Sequence, residues 1–110
     1  MPLDRLLISV IVPVYNNPRD LRECLSALIG SSCSDSEIIV VDDGSTDDTP
    51  SVAAGMGVRV LRLAKNSGPW AARNFGACHA RGDILFFVDA DVVAMPGAVS
   101  RVVKTFNEQP

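Results

Sequence analysis

Two carboxylates separated by one residue are the side chains in this sequence best suited to chemistry. Asp89 and Asp91 follow the apolar run at residues 84–88, with the small Ala90 between them. Side chains two residues apart in an extended segment point to the same side, so the two carboxylates can converge. Paired hard oxygen ligands favour Mg²⁺ or Mn²⁺ over a soft metal. Two isolated acids with this spacing are more often solvated turn residues, so the surrounding sequence must decide.

Two earlier apolar runs also end in polar or aromatic residues. Pro13 and Tyr15 follow the run at residues 8–12, and Asp43 lies just after the run at residues 37–41. Because the carboxyl ends of parallel strands face one rim of a sheet, we expect these side chains and the two acids at one crevice. A divalent cation would relieve the repulsion among the acids there, and substrate phosphates are its natural partners.

Residues at the expected crevice offer contacts for a nucleotide. Tyr15 can stack on a flat ring, and Asp43 can accept hydrogen bonds from ring N–H groups. Arg73 lies in the first turns of a predicted helix and can reach a phosphate or a base carbonyl. The alternatives stay open, since Tyr15 can equally be a half-buried aromatic and Arg73 can pair with a nearby acid. The sequence has neither the glycine-rich dinucleotide motif nor a P-loop, so metal is expected to balance phosphate charge.

The elements that must hold these residues alternate between strand and helix. Apolar, β-branched runs predict strands at residues 8–12, 37–41, 58–63 and 84–88. Capping residues, first-turn prolines and helical spacing predict helices at about residues 18–29, from Thr46 or Asp47 to about residue 54, at 69–80, and from Pro96 onward. This alternation predicts an α/β fold, a parallel sheet with helices on both faces. Pro13 is expected to end the first strand, and the run at 84–88 is typical of a strand covered on both faces.

Composition limits the classes of protein that fit. The 110 residues suit one domain, 1–110, and a net charge of -3 argues against a nucleic-acid partner. No apolar run has the length of a membrane span or the pattern of a signal peptide, so we expect a cytoplasmic chain or the cytoplasmic part of a larger protein. The three cysteines lack C-x-x-C spacing and are expected to be reduced thiols. His79, the single histidine, is expected to be structural.

Four segments, taken together, resemble a known family. Residues 8–16, 37–47, 66–76 and 82–91 are similar, in order and spacing, to the motifs of family 2 glycosyltransferases with the GT-A fold. The resemblance covers nearly the whole chain and corresponds to the N-terminal, nucleotide-sugar-binding half of such an enzyme. It implies a Rossmann-like GT-A sheet sandwich, of which this chain would supply the N-terminal half only.

The resemblance also implies roles for individual residues. It implies nucleotide or donor binding by Pro13, Tyr15, Asp43, Arg73 and Asp89. Asp43 would recognise the base, and Asp89 would contact the ribose or the metal shell. Asp91 would be the more direct ligand of Mg²⁺ or Mn²⁺.

The function implied by the resemblance is transfer of a sugar from a nucleotide-diphosphate sugar, most commonly a UDP-sugar. The acceptor would be a glycan, a lipid or a cell-surface polysaccharide, and the reaction would be metal-assisted and inverting, as in polysaccharide biosynthesis. Family members place the catalytic base and the acceptor site after the paired acids. We therefore expect these 110 residues to be truncated from a longer enzyme and inactive in transfer by themselves, with the catalytic base unassigned.

Two other interpretations fit some of the same residues. The chain can be a nucleotide-binding or regulatory module without transfer activity. A phosphotransferase or nucleotidyltransferase would use the same two acids, but it would need basic phosphate-binding loops that the sequence lacks. For the parent protein, the expectations include association with the inner face of a membrane through the missing part, and homo-oligomers.

Overall fold

The computed structural model describes residues 7–31, 36–93 and 95–108, with only the backbone of Asn107, and in this part strands and helices alternate as predicted. The strands are β1 (Ile8–Val14), β2 (Ser36–Asp42), β3 (Arg59–Arg62) and β4 (Ile84–Phe87). The helices are α1 (Pro18–Ser31), α2 (Thr49–Gly55), α3 (Pro69–His79) and α4 (Ala98–Glu108). The α/β class is therefore confirmed. The predicted loop at 31–36 and Cys33 fall largely outside the described residues.

The strand order places a crevice at one end of the sheet. All pairs are parallel, and the order is β3-β2-β1-β4. The chain therefore moves outward from β1 through β2 to β3 and then crosses to the other side of β1 to form β4. In an open α/β sheet, ligands bind outside the carboxyl ends of the strands where the order reverses in this way. That point lies between β1 and β4.

Two hydrophobic cores cover the two faces of the sheet. Alternate residues of β1, such as Val10 and Val12, pack with α1, α2 and α4 in the larger core. Ile11 and Val41 face the opposite way and pack with Ala72 of α3 in the smaller core. The period-two alternation of the strands therefore decides which helices each side chain meets.

Gly76 lets α3 lie very close to the sheet. A Cβ atom on this glycine would be 2.6 Å from Ile11 Cγ2 and 2.9 Å from Val41 Cγ2, closer than carbon atoms can approach. The missing side chain therefore sets the distance between α3 and the two central strands. It thereby also fixes the first turns of the helix, which carry Arg73.

Pro13 does not end β1, which continues to Val14. Backbone groups of alternate residues in a strand point to opposite neighbours; Ile11 O accepts from Val88 N toward β4, whereas Val14 O accepts from Asp43 N toward β2. Pro13 shares the direction of Ile11, and the paired part of β4 has already ended at Phe87. The Pro13 nitrogen, which carries no hydrogen, therefore faces a position where no strand requires a hydrogen-bond donor.

β4 is covered on one face rather than on both. Ile84, Phe86 and Val88 pack into the larger core, but Leu85 and Phe87 remain 41% and 42% exposed. The reason is that α3 packs mainly on β1 and β2. The apolar run correctly predicted a strand, but it did not indicate which face a helix covers.

The ends of two helices differ from the prediction. α1 continues past Gly30 to Ser31, and α4 begins at Ala98 instead of Pro96 because Gly97 has a φ of +76°, outside the helical region. Among the described residues, no helix is both long enough and apolar enough to cross a bilayer.

We expect Gly76→Ala to destabilise the fold by roughly 1–3 kcal/mol, because the added methyl group overpacks the contact with Ile11 and Val41. Gly30→Ala is the matched control, since nothing lies within 4 Å of a Cβ atom at this position in α1. That substitution should be neutral or stabilising by up to about 1 kcal/mol. Urea unfolding of both variants measures the difference, and equal stability would contradict the close approach of α3.

Candidate functional site

The reversal point of the sheet contains a cavity of about 290 Å³. All five residues predicted to bind a nucleotide line it, namely Pro13, Tyr15, Asp43, Arg73 and Asp89. They come from the ends of β1, β2 and β4 and from the first turns of α3. The structure thus brings these residues together, and their individual roles stay predictions.

Asp43 is buried and serves as an anchor for the loop before α3. Its Oδ1 accepts a hydrogen bond from the backbone N–H of Ser67 at 2.8 Å, and its Oδ2 accepts one from Gly68 at 3.0 Å. Its own N–H donates to Val14 O at 2.8 Å, and the residue is only 4% exposed. The carboxylate therefore lies in the wall of the cavity and not at a solvated edge. Each carboxylate oxygen still has a free acceptor position, so a ligand in the cavity can bond to it.

The two acids after β2 are followed by Gly44, and a larger residue would not fit at this position. Its φ is +74°, and a Cβ atom would lie 2.4 Å from Lys65 C and 2.5 Å from Asn66 N. The loop before α3 therefore passes directly against the backbone of Gly44. Only a residue without a side chain permits both the left-handed conformation and this contact.

Asp42, next to Asp43, has a purely structural role. It is fully buried, and its Oδ2 accepts hydrogen bonds from Ser45 N at 3.1 Å and from Arg62 Nε at 3.2 Å. Arg62 also donates to Ser45 O at 3.2 Å. The other carboxylate oxygen of Asp42, Oδ1, has no hydrogen-bond partner among the described residues. Asp42 does not line the cavity, and it fixes the turn after β2.

Arg73 and Asp89 form an ion pair along the cavity wall. Arg73 Nη2 lies 3.2 Å from Asp89 Oδ1, and the side chains are 32% and 62% exposed. Solvent weakens a pair this exposed, so it can open when a competing charge arrives. The alternative considered for Arg73, an ion pair with a nearby acid, is therefore realised with another residue of the candidate site.

The paired acids lie in a turn and not in a continuous strand. β4 ends at Phe87, and Val92 N donates to Asp89 O at 3.0 Å across the turn. Ala90 is buried while Asp89 and Asp91 are exposed, so both acids lie on the solvent side of the turn, but the extended segment from which their convergence was predicted ends before them. Asp91 does not line the cavity. It makes no hydrogen bond or ion pair within the described part of the chain.

Cys24 of α1 lies directly beneath this turn. Its Sγ is 3.7 Å from Asp89 O, and the residue is fully buried. Burial, with smaller contributions from the charges of Asp91 and Asp89, raises the pKa of the thiol to about 11. Cys24 is therefore a protonated thiol. Together with Cys78, it is free, as expected for reduced cysteines.

One further residue belongs to the site, and the single histidine does not. Asn66 lines the cavity, yet the sequence suggested only a turn there. Its amide offers a donor and an acceptor beside Asp43, and its position just before a predicted helix is the sequence signal that points to this role. His79 lies at the far end of α3, where its Nδ1 is 2.9 Å from Phe75 O. It belongs to the opposite rim of the sheet and not to this cavity.

A larger hollow of about 410 Å³ lies at that opposite rim, near Met56, Arg59 and Arg81. Arg59 donates to His79 O at 2.8 Å and lies 3.8 Å from Glu37, so its charge is already engaged. The hollow adjoins Ser36, which borders residues outside the described part. The smaller cavity, where polar groups from several elements converge, is the better candidate site.

Comparison with known proteins identifies one family. Residues 9–110 match the sequence model described as Glycosyl transferase family 2. Glycosyltransferase GlyG of Streptococcus pneumoniae is 32% identical over 108 residues, which cover 94% of this chain and 36% of GlyG. The uncharacterized glycosyltransferase YibD of Escherichia coli is 40% identical over 94 residues, or 81% of this chain and 27% of YibD. The chain thus spans about a third of the length of the curated relatives that it matches.

Solved structures confirm the fold. TarS of S. aureus has a TM-score of 0.84 and 31% identity, covering 93% of this chain and 20% of TarS. A complex of TarS residues 1–349 with UDP-GlcNAc matches with a TM-score of 0.83 over 94% of this chain and 31% of that one. The mannosyltransferase PcManGT of Pyrobaculum calidifontis, in complex with GDP-Man and Mn²⁺, matches at 0.82 with 27% identity, covering 94% of this chain and 32% of that one. The expected GT-A architecture is therefore confirmed.

We expect Asp43→Asn to destabilise the fold. The substitution replaces one carboxylate oxygen by an amide nitrogen, which cannot accept the hydrogen bond that Ser67 N–H or Gly68 N–H donates in the wild type. One unsatisfied buried donor costs roughly 1–3 kcal/mol. Urea unfolding measures the loss. Asp48→Asn is the matched control, since the exposed Asp48 side chain makes no capping hydrogen bond to α2 and its replacement should leave stability unchanged. Wild-type stability of Asp43→Asn would show that the anchor is not important for folding.

Proposed function

Because the chain belongs to glycosyl transferase family 2, we propose that the cavity between β1 and β4 binds the nucleotide of a sugar-nucleotide donor and that the parent protein transfers the sugar to an acceptor. The observation that carries this proposal is the convergence of Tyr15, Asp43, Arg73 and Asp89 in one cavity. An aromatic ring suits a base, a fixed acceptor suits its N–H edge and a guanidinium suits a diphosphate, while an exposed acid can bind a divalent cation that accompanies the diphosphate.

The base-binding part of the cavity is formed by Tyr15, Asp43 and Asn66. Tyr15 is 45% exposed, so its ring is free to stack on a planar ligand. Uracil and guanine both present a ring N–H next to a carbonyl, which suits the free acceptor positions of Asp43 and the amide of Asn66. A TarS complex contains UDP-GlcNAc and the PcManGT complex contains GDP-Man. A UDP-sugar donor is our proposal for this chain.

The acids after β4 fit a divalent cation shared with the substrate. Two exposed carboxylates, Asp89 and Asp91, provide hard oxygen ligands, and the described residues contain no group of three or more metal-binding side chains. Mg²⁺ and Mn²⁺ in nucleotide sites commonly take one or two carboxylates and complete their shell with phosphate oxygens and water. When bound, the cation would act as a Lewis acid and stabilise the charge of the departing nucleoside diphosphate.

Transfer requires a group that accepts the proton of the acceptor hydroxyl, and we assign none in this chain. Asp43 is held by two backbone N–H groups, and Asp89 is paired with Arg73. Inverting transfer to a glycan, lipid or cell-surface polysaccharide in the cytoplasm, and any membrane association or oligomer, therefore stay predictions for the parent protein. The second candidate is a nucleotide-binding module without transfer, which is favoured by the engagement of Asp43 and Asp89 with other groups of this chain.

We expect UDP or GDP to bind this chain more weakly, by on the order of tenfold, when the divalent cation is removed. The reason is that the diphosphate would then face Asp89 and Asp91 with no charge between them. Calorimetric titration with Mn²⁺ and then with excess chelator measures the change. Asp91→Asn should lose the cation dependence, whereas Asp48→Asn should keep it. The same dissociation constant with and without cation would reject the metal site.

We expect Arg73→Ala to change two affinities in opposite directions. Loss of the ion pair frees Asp89, so Mn²⁺ alone should bind up to roughly fivefold more tightly. Loss of a charged donor should weaken nucleotide binding by roughly ten- to a hundredfold. Electron paramagnetic resonance measures free Mn²⁺, and calorimetry measures UDP and GDP binding. Arg22→Ala, which removes the same charge from an exposed position on α1, should change neither. A parallel fall in both affinities would exclude competition for Asp89.

A further inference from the structure

Hydrogen bonds join the loop after β1 to the loop after β2. The backbone N–H of Asn16 donates to Ser45 Oγ at 2.8 Å. The amide of Asn16 accepts from Thr46 N at 2.8 Å and donates to Thr46 Oγ1 at 3.3 Å. The next residue, Asn17, donates its N–H to Thr49 Oγ1 at 3.1 Å. The loop after β1 is therefore held by the neighbouring loop.

Asn16 also has an unusual backbone conformation. Its φ is +46°, and it is the one non-glycine residue with positive φ in the described part of the chain. Asparagine tolerates this left-handed conformation because its short side chain can hydrogen-bond nearby. The chain turns here, between Tyr15 in the cavity wall and the start of α1 at Pro18. The left-handed conformation of Asn16 therefore sets the direction in which the chain leaves Tyr15 toward α1.

The partner loop is itself firmly held. The Ser45 carbonyl accepts a hydrogen bond from Arg62, and the Ser45 N–H donates one to the buried carboxylate of Asp42. Ser45 is only 4% exposed. A residue that is hydrogen-bonded to Ser45, as Asn16 is, is therefore attached to a turn that the sheet holds in place. By contrast, Asn16 is exposed and does not line the cavity.

We infer that Asn16 is a positioning residue for base recognition: its hydrogen bonds to Ser45 and Thr46 hold Tyr15 in place over the cavity. The inference rests on the proposed nucleotide site for its consequence, but the positioning itself can be measured without a ligand. A fixed aromatic ring loses less freedom when a base stacks on it than a mobile one, so affinity depends on this anchor.

The test compares Asn16→Gly with Asn16→Asp in the whole chain. Glycine keeps the left-handed conformation and removes both amide hydrogen bonds, whereas aspartate keeps the acceptor for Thr46 N. Nitrogen relaxation of the Tyr15 amide should show an order parameter that falls from about 0.85 toward about 0.6 in the glycine variant and is recovered in the aspartate variant. The dissociation constants of UDP and GDP should rise roughly three- to tenfold in the glycine variant, and that of Mn²⁺ alone should stay unchanged.

The outcomes separate this inference from the proposed function. A Tyr15 amide that is as rigid in Asn16→Gly as in the wild type would overturn the inference, whatever the nucleotides do. Wild-type protein that binds neither UDP nor GDP would reject the proposed function, while the relaxation measurement still decides the positioning. If Asn16→Gly does not fold, Ser45→Ala provides the same test, because it removes the acceptor of Asn16 N–H from the other loop. A rigid Tyr15 in Ser45→Ala would then overturn the inference.

Discussion

The carboxylate of Asp43 is the interaction on which the cavity depends. It accepts two backbone hydrogen bonds from Ser67 and Gly68, while its own N–H is bonded to Val14. One residue thus fixes the ends of β1 and β2 and the loop that leads into α3. A charge with 4% exposure is tolerable only when fixed donors replace the lost water, and these two N–H groups do so. The direction in which α3 starts, and with it the position of Arg73, follows from this anchor.

The strand order explains why the anchor lies beside an open space. β1 extends beyond its pairing with β4, and its last residues are supported on the β2 side only. Pro13 is compatible with this geometry because its nitrogen faces the open side. The gap beyond the end of β4 is bordered by Tyr15 on one side and Asp89 on the other. The cavity is therefore a consequence of unequal strand lengths at the reversal point, and Gly76 keeps α3 close enough to form its third wall.

Local patterns predicted the elements, and long-range contacts explain what the patterns missed. Apolar runs and capping residues depend on neighbours in the sequence, and for this reason the strands and helices could be predicted. The position of Asp91 outside the cavity could not, because it depends on the turn that follows β4. The partners of Asp43 lie 24 and 25 residues away, so its burial could not be read from its own segment. The bare face of β4, with Leu85 and Phe87 exposed, depends on where α3 packs. The same limitation hid the position of Asn66 in the cavity wall.

The two ends of the cavity differ in exposure, and this difference suits the two parts of the proposed ligand. At the end where we propose that the base binds, the buried Asp43 is already held by two backbone N–H groups and does not need to move. At the phosphate end, the side chain of Asp89 is 62% exposed. Water screens the repulsion between this acid and Asp91, so the fold does not need a cation to hold them together. An exposed pair of acids can exchange a cation and a multiply charged diphosphate, which a buried pair could release only slowly. Arg73 links the two ends, because it lines the same cavity as Asp43 while its guanidinium contacts Asp89.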